Sequence, residues 1–290
     1  MQTRKKNMRI GHFSLIALFF LINSLQSCTL INQKTIVGSP KISTVRHETY
    51  KRITGIEVGS IIAVNVIQSE EEFVEISANE NILPFVEIKQ KGSELFLDMD
   101  ENYQYKRADI LVTIATSKIQ MIGLSGASKA SFTGDWECEN LSIRMSGASE
   151  LEKLNAKSNQ TSVHLSGATE LSALLKSEEM YFNSSGAADA HLQLYNNLNC
   201  SLHLSGSSDL SIRGDCRTLS VNGSGSSDID AEKFHAESVD IKLSGSSSIE
   251  AYAQKHLSYS LSGSSSANIY GQAEETRHKL SGSATITRHN

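Results

Sequence analysis

Proline is nearly absent: Pro40 and Pro84 are the two among 290 residues, which excludes a proline-rich linker protein. Long stretches with a helical period are missing too, so a helical bundle is excluded. There is no basic excess. Lys and Arg number 27 against 32 Asp and Glu, a net charge of −5, and no basic stripe is available to follow a phosphate backbone, which sets nucleic acid aside as a partner. Cysteine is scarce, at Cys28, Cys138, Cys200 and Cys216, with no C-x-x-C pair and no His/Cys spacing suited to a metal. No G-x-S-x-G elbow, H-E-x-x-H helix or P-loop occurs, so nucleophilic, zinc and phosphate chemistry have no anchor.

The amino-terminal residues read as an address. Arg4, Lys5, Lys6 and Arg9 form a basic start, and residues 13–25 form a largely apolar run of 13, too short for a comfortable membrane span. The run ends at Leu25-Gln26-Ser27-Cys28, which resembles the bacterial lipobox. Residues 1–27 are therefore expected to be a lipoprotein signal peptide, with Cys28 lipidated and the mature chain held on a membrane by its acyl chains. Residues 28–45 show no periodicity and are expected to be a tether. No dense acidic run follows Cys28, which favours an outer-membrane protein facing the periplasm over one displayed on the surface.

From 46 to 116 the chain changes character. Short β-branched runs with a period of two, such as Ile62-Ala-Val64-Asn-Val66 and Ile110-Leu-Val112-Thr-Ile114, alternate with turn signals such as Lys91-Gly92-Ser93. This segment is expected to be a β-rich cap, or irregular first coils, of the repeat array that begins at residue 117.

Residues 117–290 are built on one phrase, Leu-Ser-Gly-Ala/Ser-Ser. Its glycines are Gly126, Gly147, Gly167, Gly186, Gly206, Gly225, Gly245, Gly263 and Gly282, a mean period of 19.5 residues. Aligned on them, the residues six, four and two before each glycine are mostly apolar, for example Val239, Ile241 and Leu243. The residue two after is small, and the residue four after is usually aliphatic, as in Leu151, Leu171, Leu210, Ile229, Ile249 and Ile286. One copy has no second layer in which to bury this row, whereas stacked copies share a continuous interior. The expected fold is all-β: a right-handed parallel β-helix, or β-solenoid, of nine repeats in coils of about 19.5 residues. Nine coils about 4.8 Å apart make a rod of roughly 43 Å. An antiparallel sandwich would have no need for identical corners. Cys138 and Cys216 lie four coils apart, roughly 19 Å, which a disulfide does not span; Cys200 falls in an inward register as a small buried hydrophobe.

The β-rich segment followed by the glycine ladder resembles the putative auto-transporter adhesin, head GIN domain family, common in lipoproteins of the Bacteroidetes. Residues 53–66, the stretch Val74-Glu-Ile-Ser-Ala-Asn-Glu-Asn-Ile-Leu-Pro84, Leu95-Phe-Leu97 and the Leu-Ser-Gly repeats carry the resemblance, over most of the chain from about residue 46. It implies a β-helical extracytoplasmic domain with an adhesin role and no established catalytic residues, so no site is carried over.

Three rows are candidates for function. Serine precedes all nine glycines, at Ser125, Ser146, Ser166, Ser185, Ser205, Ser224, Ser244, Ser262 and Ser281; so uniform a position suits a hydroxyl ladder that closes the corner. Three residues after glycine stand Glu150, Glu170, Asp189, Asp209 and Asp228 in consecutive copies. Stacked, neighbouring carboxylates repel by about 0.9 kcal/mol in water, and calcium is the candidate cation or ligand for that row, although the Gly-Gly-x-Gly-x-Asp phrase of calcium β-rolls is missing. His164 and His203 face outward on either side of Asn183, two coils apart and too far to share one metal. Tight repeats with no long insertion make a polysaccharide-active enzyme the least favoured of three readings. The sequence therefore points to a non-catalytic, lipid-anchored binding or adhesion module of the cell envelope with a carbohydrate or protein partner, the alternative being a periplasmic structural or envelope-stress accessory.

Overall fold

The computed structural model describes residues 33–289. The expected signal peptide and the lipidation site Cys28 lie outside them. The described chain is a parallel β-solenoid of about eight turns, with coils about 20 residues apart. No helix among the described residues is long and apolar enough to cross a membrane.

Nine strands make the amino-terminal part: β1 (Lys34–Val37), β2 (Ile42–His47), β3 (Gly55–Val58), β4 (Ala63–Gln68), β5 (Phe73–Asn79), β6 (Val86–Lys91), β7 (Glu94–Met99), β8 (Tyr103–Lys106) and β9 (Ile110–Thr116). It is both cap and coil. β3 and β4 form one coil, and β7 and β9 pair in parallel beneath them as another. β6 and β5 add antiparallel partners to β7 and β9, and β2 adds one to β5. Residues 34–47 thus differ from the tether expected there. β2 is an edge strand on β5, and β1 pairs in parallel with β8. Asn79, itself buried, fixes the link: its Oδ1 accepts from Asp109 N at 2.7 Å and its Nδ2 donates to the Ser39 carbonyl at 2.7 Å.

The first repeat is split into β10 (Met121–Leu124), β11 (Lys129–Thr133), β12 (Asp135–Glu137) and β13 (Asn140–Met145). β10 and β11 stack on β3 and β4, so residues 55–68 lie between a coil that follows them by some forty residues and the array. Five long runs continue: β14 (Glu150–Gly167), β15 (Glu170–Gly186), β16 (Asp189–Leu204), β17 (Asp209–Gly223) and β18 (Asp228–Leu243), followed by β19 (Ser248–Leu261). β14 pairs with β11, β12 and β13 in turn, so one coil has three sides, each laid on its predecessor. β20 (Ser266–Tyr270), β21 (Glu274–Leu280) and β22 (Thr285–His289) complete the stack.

The inward rows are those read from the sequence. Val163 and Leu165, Met180 and Phe182, Cys200 and Leu202, Leu219 and Val221, and Ile241 and Leu243 are buried in successive layers, and Leu151, Leu171, Leu210, Ile229 and Ile249 are buried on the next side. Each fully buried aliphatic side chain contributes roughly 1.5–3 kcal/mol. Cys138, Cys200 and Cys216 are free thiols, the last two buried.

The glycine corner is the most regular part. Gly147 has φ +74°, and a Cβ there would meet the Gly126 carbonyl oxygen at 2.4 Å; from Gly147 to Gly282 each ladder glycine repeats this relation with the one before it. Both the left-handed conformation and the close backbone approach require glycine. The ladder starts on Ser60 (φ 55°), whose carbonyl accepts from Ala127 N at 2.6 Å.

At the far end the inward row turns polar. Glu275 is stacked on Leu257, His278 on Tyr259 and Leu280 on Leu261. Arg288 Nη1 lies 3.3 Å from Glu275 Oε1 and its Nη2 donates to the Ala273 carbonyl at 2.7 Å, while Tyr259 OH donates to Glu275 Oε2 at 3.3 Å. The terminal layer thereby closes the apolar interior with an ion-paired lid, as end repeats of solenoids do.

Candidate functional site

The side of the coil that leads into the glycine alternates strictly, so positions seven, five, three and one before glycine face out. Three before, the rungs are Arg144, His164, Asn183, His203, Asn222, Lys242 and Ser260, each in register with the next. One before is the serine row. Between the two rows runs a groove of about 1000 Å³ that crosses the coils from Glu57 to Ser260.

Serine builds one wall by bonding along the stack. Ser166 Oγ donates to the Met145 carbonyl at 3.3 Å, Ser205 Oγ to Ser184 at 3.2 Å and Ser262 Oγ to Leu243 at 3.3 Å. The hydroxyl ladder expected at the corner is therefore present, and a hydroxyl that donates to the preceding coil keeps acceptor capacity for the groove. A second, buried serine row locks the turn from inside: Ser208, Ser227, Ser247 and Ser265 donate to the carbonyls of Ser205, Ser224, Ser244 and Ser262 at 2.9–3.1 Å.

The opposite wall is amide and imidazole. His203 Nε2 accepts from Asn222 Nδ2 at 3.1 Å, and His164 Nδ1 lies 3.3 Å from Ser162 Oγ. His164 and His203 flank Asn183 in one outward row, as the register predicts. Charge is confined to the ends. At one end burial pushes the Glu57 carboxyl up, Arg144 opposing and Glu94 adding to the rise; at the other Lys242 Nζ is 3.4 Å from Asp240 Oδ2. Two residues before Asn183 on the same outward face is Tyr181, 42% exposed.

The acidic row lies across the glycine ridge on the other flank. Glu150, Glu170, Asp189, Asp209 and Asp228 are brought into one register, continued by Ser248. Its ends are partnered: Lys129 pairs with Glu150, and Ser248 Oγ donates to Asp228 Oδ1 at 2.5 Å. His191 Nε2 lies 3.5 Å from Asp189 Oδ1. The tightest grouping of donors that suits a cation, among the described residues, is formed by Asp230 and Glu250 in the neighbouring row together with Glu232, two residues beyond Asp230; their carboxylate oxygens lie within 4.8 Å of one another. Sequence reasoning missed it because the residues five after glycine are not uniformly acidic. The available signal was Asp230 and Glu250 at the same offset in successive copies.

The sequence profile of a family described as "Putative auto-transporter adhesin, head GIN domain" matches residues 52–191 and 162–273. No curated protein matches the chain. Among solved structures, a putative adhesin from Parabacteroides merdae is similar over 89% of this chain and all of its own, with a TM-score of 0.67 at 16% identity. A putative adhesin from Parabacteroides distasonis has a TM-score of 0.66 at 15% identity, over 88% of this chain and all of its own. A protein of the same species described as a putative lipid binding protein has a TM-score of 0.58 at 17% identity, over 89% of this chain and all of its own. At these identities the likeness is one of fold.

Proposed function

The chain belongs to the putative auto-transporter adhesin, head GIN domain family, and we propose that it is a non-catalytic, lipid-anchored binding module of the cell envelope. Its groove takes an extended partner chain, carbohydrate or protein, laid along the stack. The observation that carries this reading is the groove itself: about 1000 Å³ between two in-register ladders of hydrogen-bonding side chains, on strands rigid enough to hold them. The groove walls hold imidazole, amide and hydroxyl groups but no pair of carboxylates set for acid and base work, and the raised thiols Cys200 and Cys216 are buried elsewhere. Cys28 supplies the anchor, with two or more acyl chains giving stable attachment.

The test is a panel of glycans, peptides and envelope components presented to the purified chain and to an Asn183→Ala/Asn222→Ala variant. A binder that the variant weakens, and that Asp209→Asn on the other flank leaves unchanged, is the expected result. A panel without a binder, or a binder indifferent to the groove variant, overturns it. For the anchor, Cys28→Ser moves the protein from the membrane pellet to the soluble fraction, and unchanged pelleting rules out lipidation there.

A further inference from the structure

Given that groove reading, we infer that the occupant is a neutral glycan chain running along the stack over the four coils between Arg144 and Lys242.

Charge is the first argument. The rungs from His164 to Asn222 contain no carboxylate, ammonium or guanidinium, and the row before them, Ser162, Tyr181, Ser201 and Ser220, contains none either. At the two ends, Lys242 Nζ lies 3.4 Å from Asp240 Oδ2, and Arg144 and Glu57 line the groove together. An acidic polymer would meet no free cation in the middle of the groove, and a charge-bearing partner would leave its charges unpaired.

Spacing is the second. The rungs rise by about 4.8 Å per coil, while an extended peptide advances about 3.3–3.4 Å per residue and repeats on one side only at twice that. A peptide laid along the stack, with a same-side spacing of about 6.6–6.8 Å, therefore does not place a side chain on every rung. An extended pyranose chain advances by about one rung per ring, and each ring presents hydroxyls that both donate and accept.

The chemistry of the walls is the third. Asn and His each offer a donor and an acceptor, and the serine hydroxyls facing them add acceptors. Tyr181 lies in the outward row next to them, between Ser162 and Ser201, with its ring exposed, an amphipathic surface at the groove's margin for the apolar face of a sugar. Donor-acceptor pairs with one aromatic platform and no net charge are the complement of a neutral hydroxyl-rich chain.

The experiment is calorimetry on the full chain in detergent with neutral oligosaccharides of two to six rings from β-glucan, α-glucan, chitin, xylan and mannan, beside hexagalacturonate and an extended hexapeptide. Affinity for at least one neutral series rises with length up to about four rings and then levels, because four rungs lie about 4.8 Å apart. Tyr181→Ala and Asn183→Ala/Asn222→Ala each weaken it by about tenfold, the equivalent of about 1.4 kcal/mol, with circular dichroism unchanged. Failure of every neutral series overturns the inference. So does stronger binding of hexagalacturonate or the peptide; if the groove variants abolish that binding, the groove reading stands and the glycan assignment alone falls. Binding that no groove variant alters overturns both.

Discussion

Gly206 follows Gly186 in the corner ladder so closely that a Cβ on it would lie 2.5 Å from the Gly186 carbonyl oxygen. The obstacle is backbone, hydrogen-bonded on to Ser207 N at 2.7 Å, so it has nowhere to move. Gly206→Ala therefore combines left-handed strain with a clash and costs roughly 3 to 5 kcal/mol. Gly92 provides the control, with φ +62° and nothing within 4 Å of an added Cβ; Gly92→Ala costs only about 1 to 2 kcal/mol. Urea midpoints of the two variants measure the difference.

Along the acidic flank, Asp209 sits between Asp189 and Asp228 with a carboxylate on either side. Asp209→Asn removes two repulsive neighbours and raises the melting temperature at low ionic strength. In high salt the gain fades, because screening has already removed the repulsion. Melting curves at low ionic strength and in concentrated NaCl separate this from a change in packing.

The interior thiols give a pH signature. Burial pushes Cys216 up to about 12, with Asp215 adding to the rise, and burial likewise pushes Tyr105 up to about 12. The native state keeps protons that the unfolded chain gives up. Stability from these groups is complete below the ordinary thiol value near 8.5 and is lost progressively as pH climbs toward 12. Cys216→Ala flattens the first part of that decline in alkaline melts. In a Cys28→Ser background at mildly alkaline pH, a disulfide reagent reaches the half-buried Cys138 in the folded protein, and Cys200 and Cys216 only after urea unfolding.

Glu275, His278 and Arg288 close the carboxyl-terminal layer. Replacing all three with aliphatic residues continues the apolar interior to an open edge of parallel strands, the situation natural sheets avoid. The expected outcome is end-to-end association, seen as larger species than the parent protein in gel filtration, while Glu275→Gln elutes as the parent does.

The coil was legible because it is written many times. A glycine every 19.5 residues, with apolar residues at fixed offsets, fixes both the period and the inward face, and Val163, Leu202 and Ile241 are buried as the pattern requires. Residues 55–68 were harder, because their neighbours, 94–116 and 121–133, are distant in sequence and share no phrase with them. Ser60 takes the first corner in place of glycine, so the ladder looks one step shorter than it is. β1 and β2 give no signal in the sequence because they are largely exposed and carry no alternating apolar row. The groove was invisible for another reason: concavity comes from how the backbone bends at the corner, and only the outward identity of His164, Asn183 and His203 could be read beforehand.

The insertion of residues 55–68 between two later segments also decides how the molecule bears load. A pull applied at residue 33 meets β1 and β2 first, each held by one neighbour, on β8 and β5. Behind them the coil of β3 and β4 is gripped on both edges. The two outer strands, each with a single hydrogen-bonded edge, are expected to detach before that coil, which lengthens the link ahead of the groove. The amino-terminal strands act as a mechanical fuse.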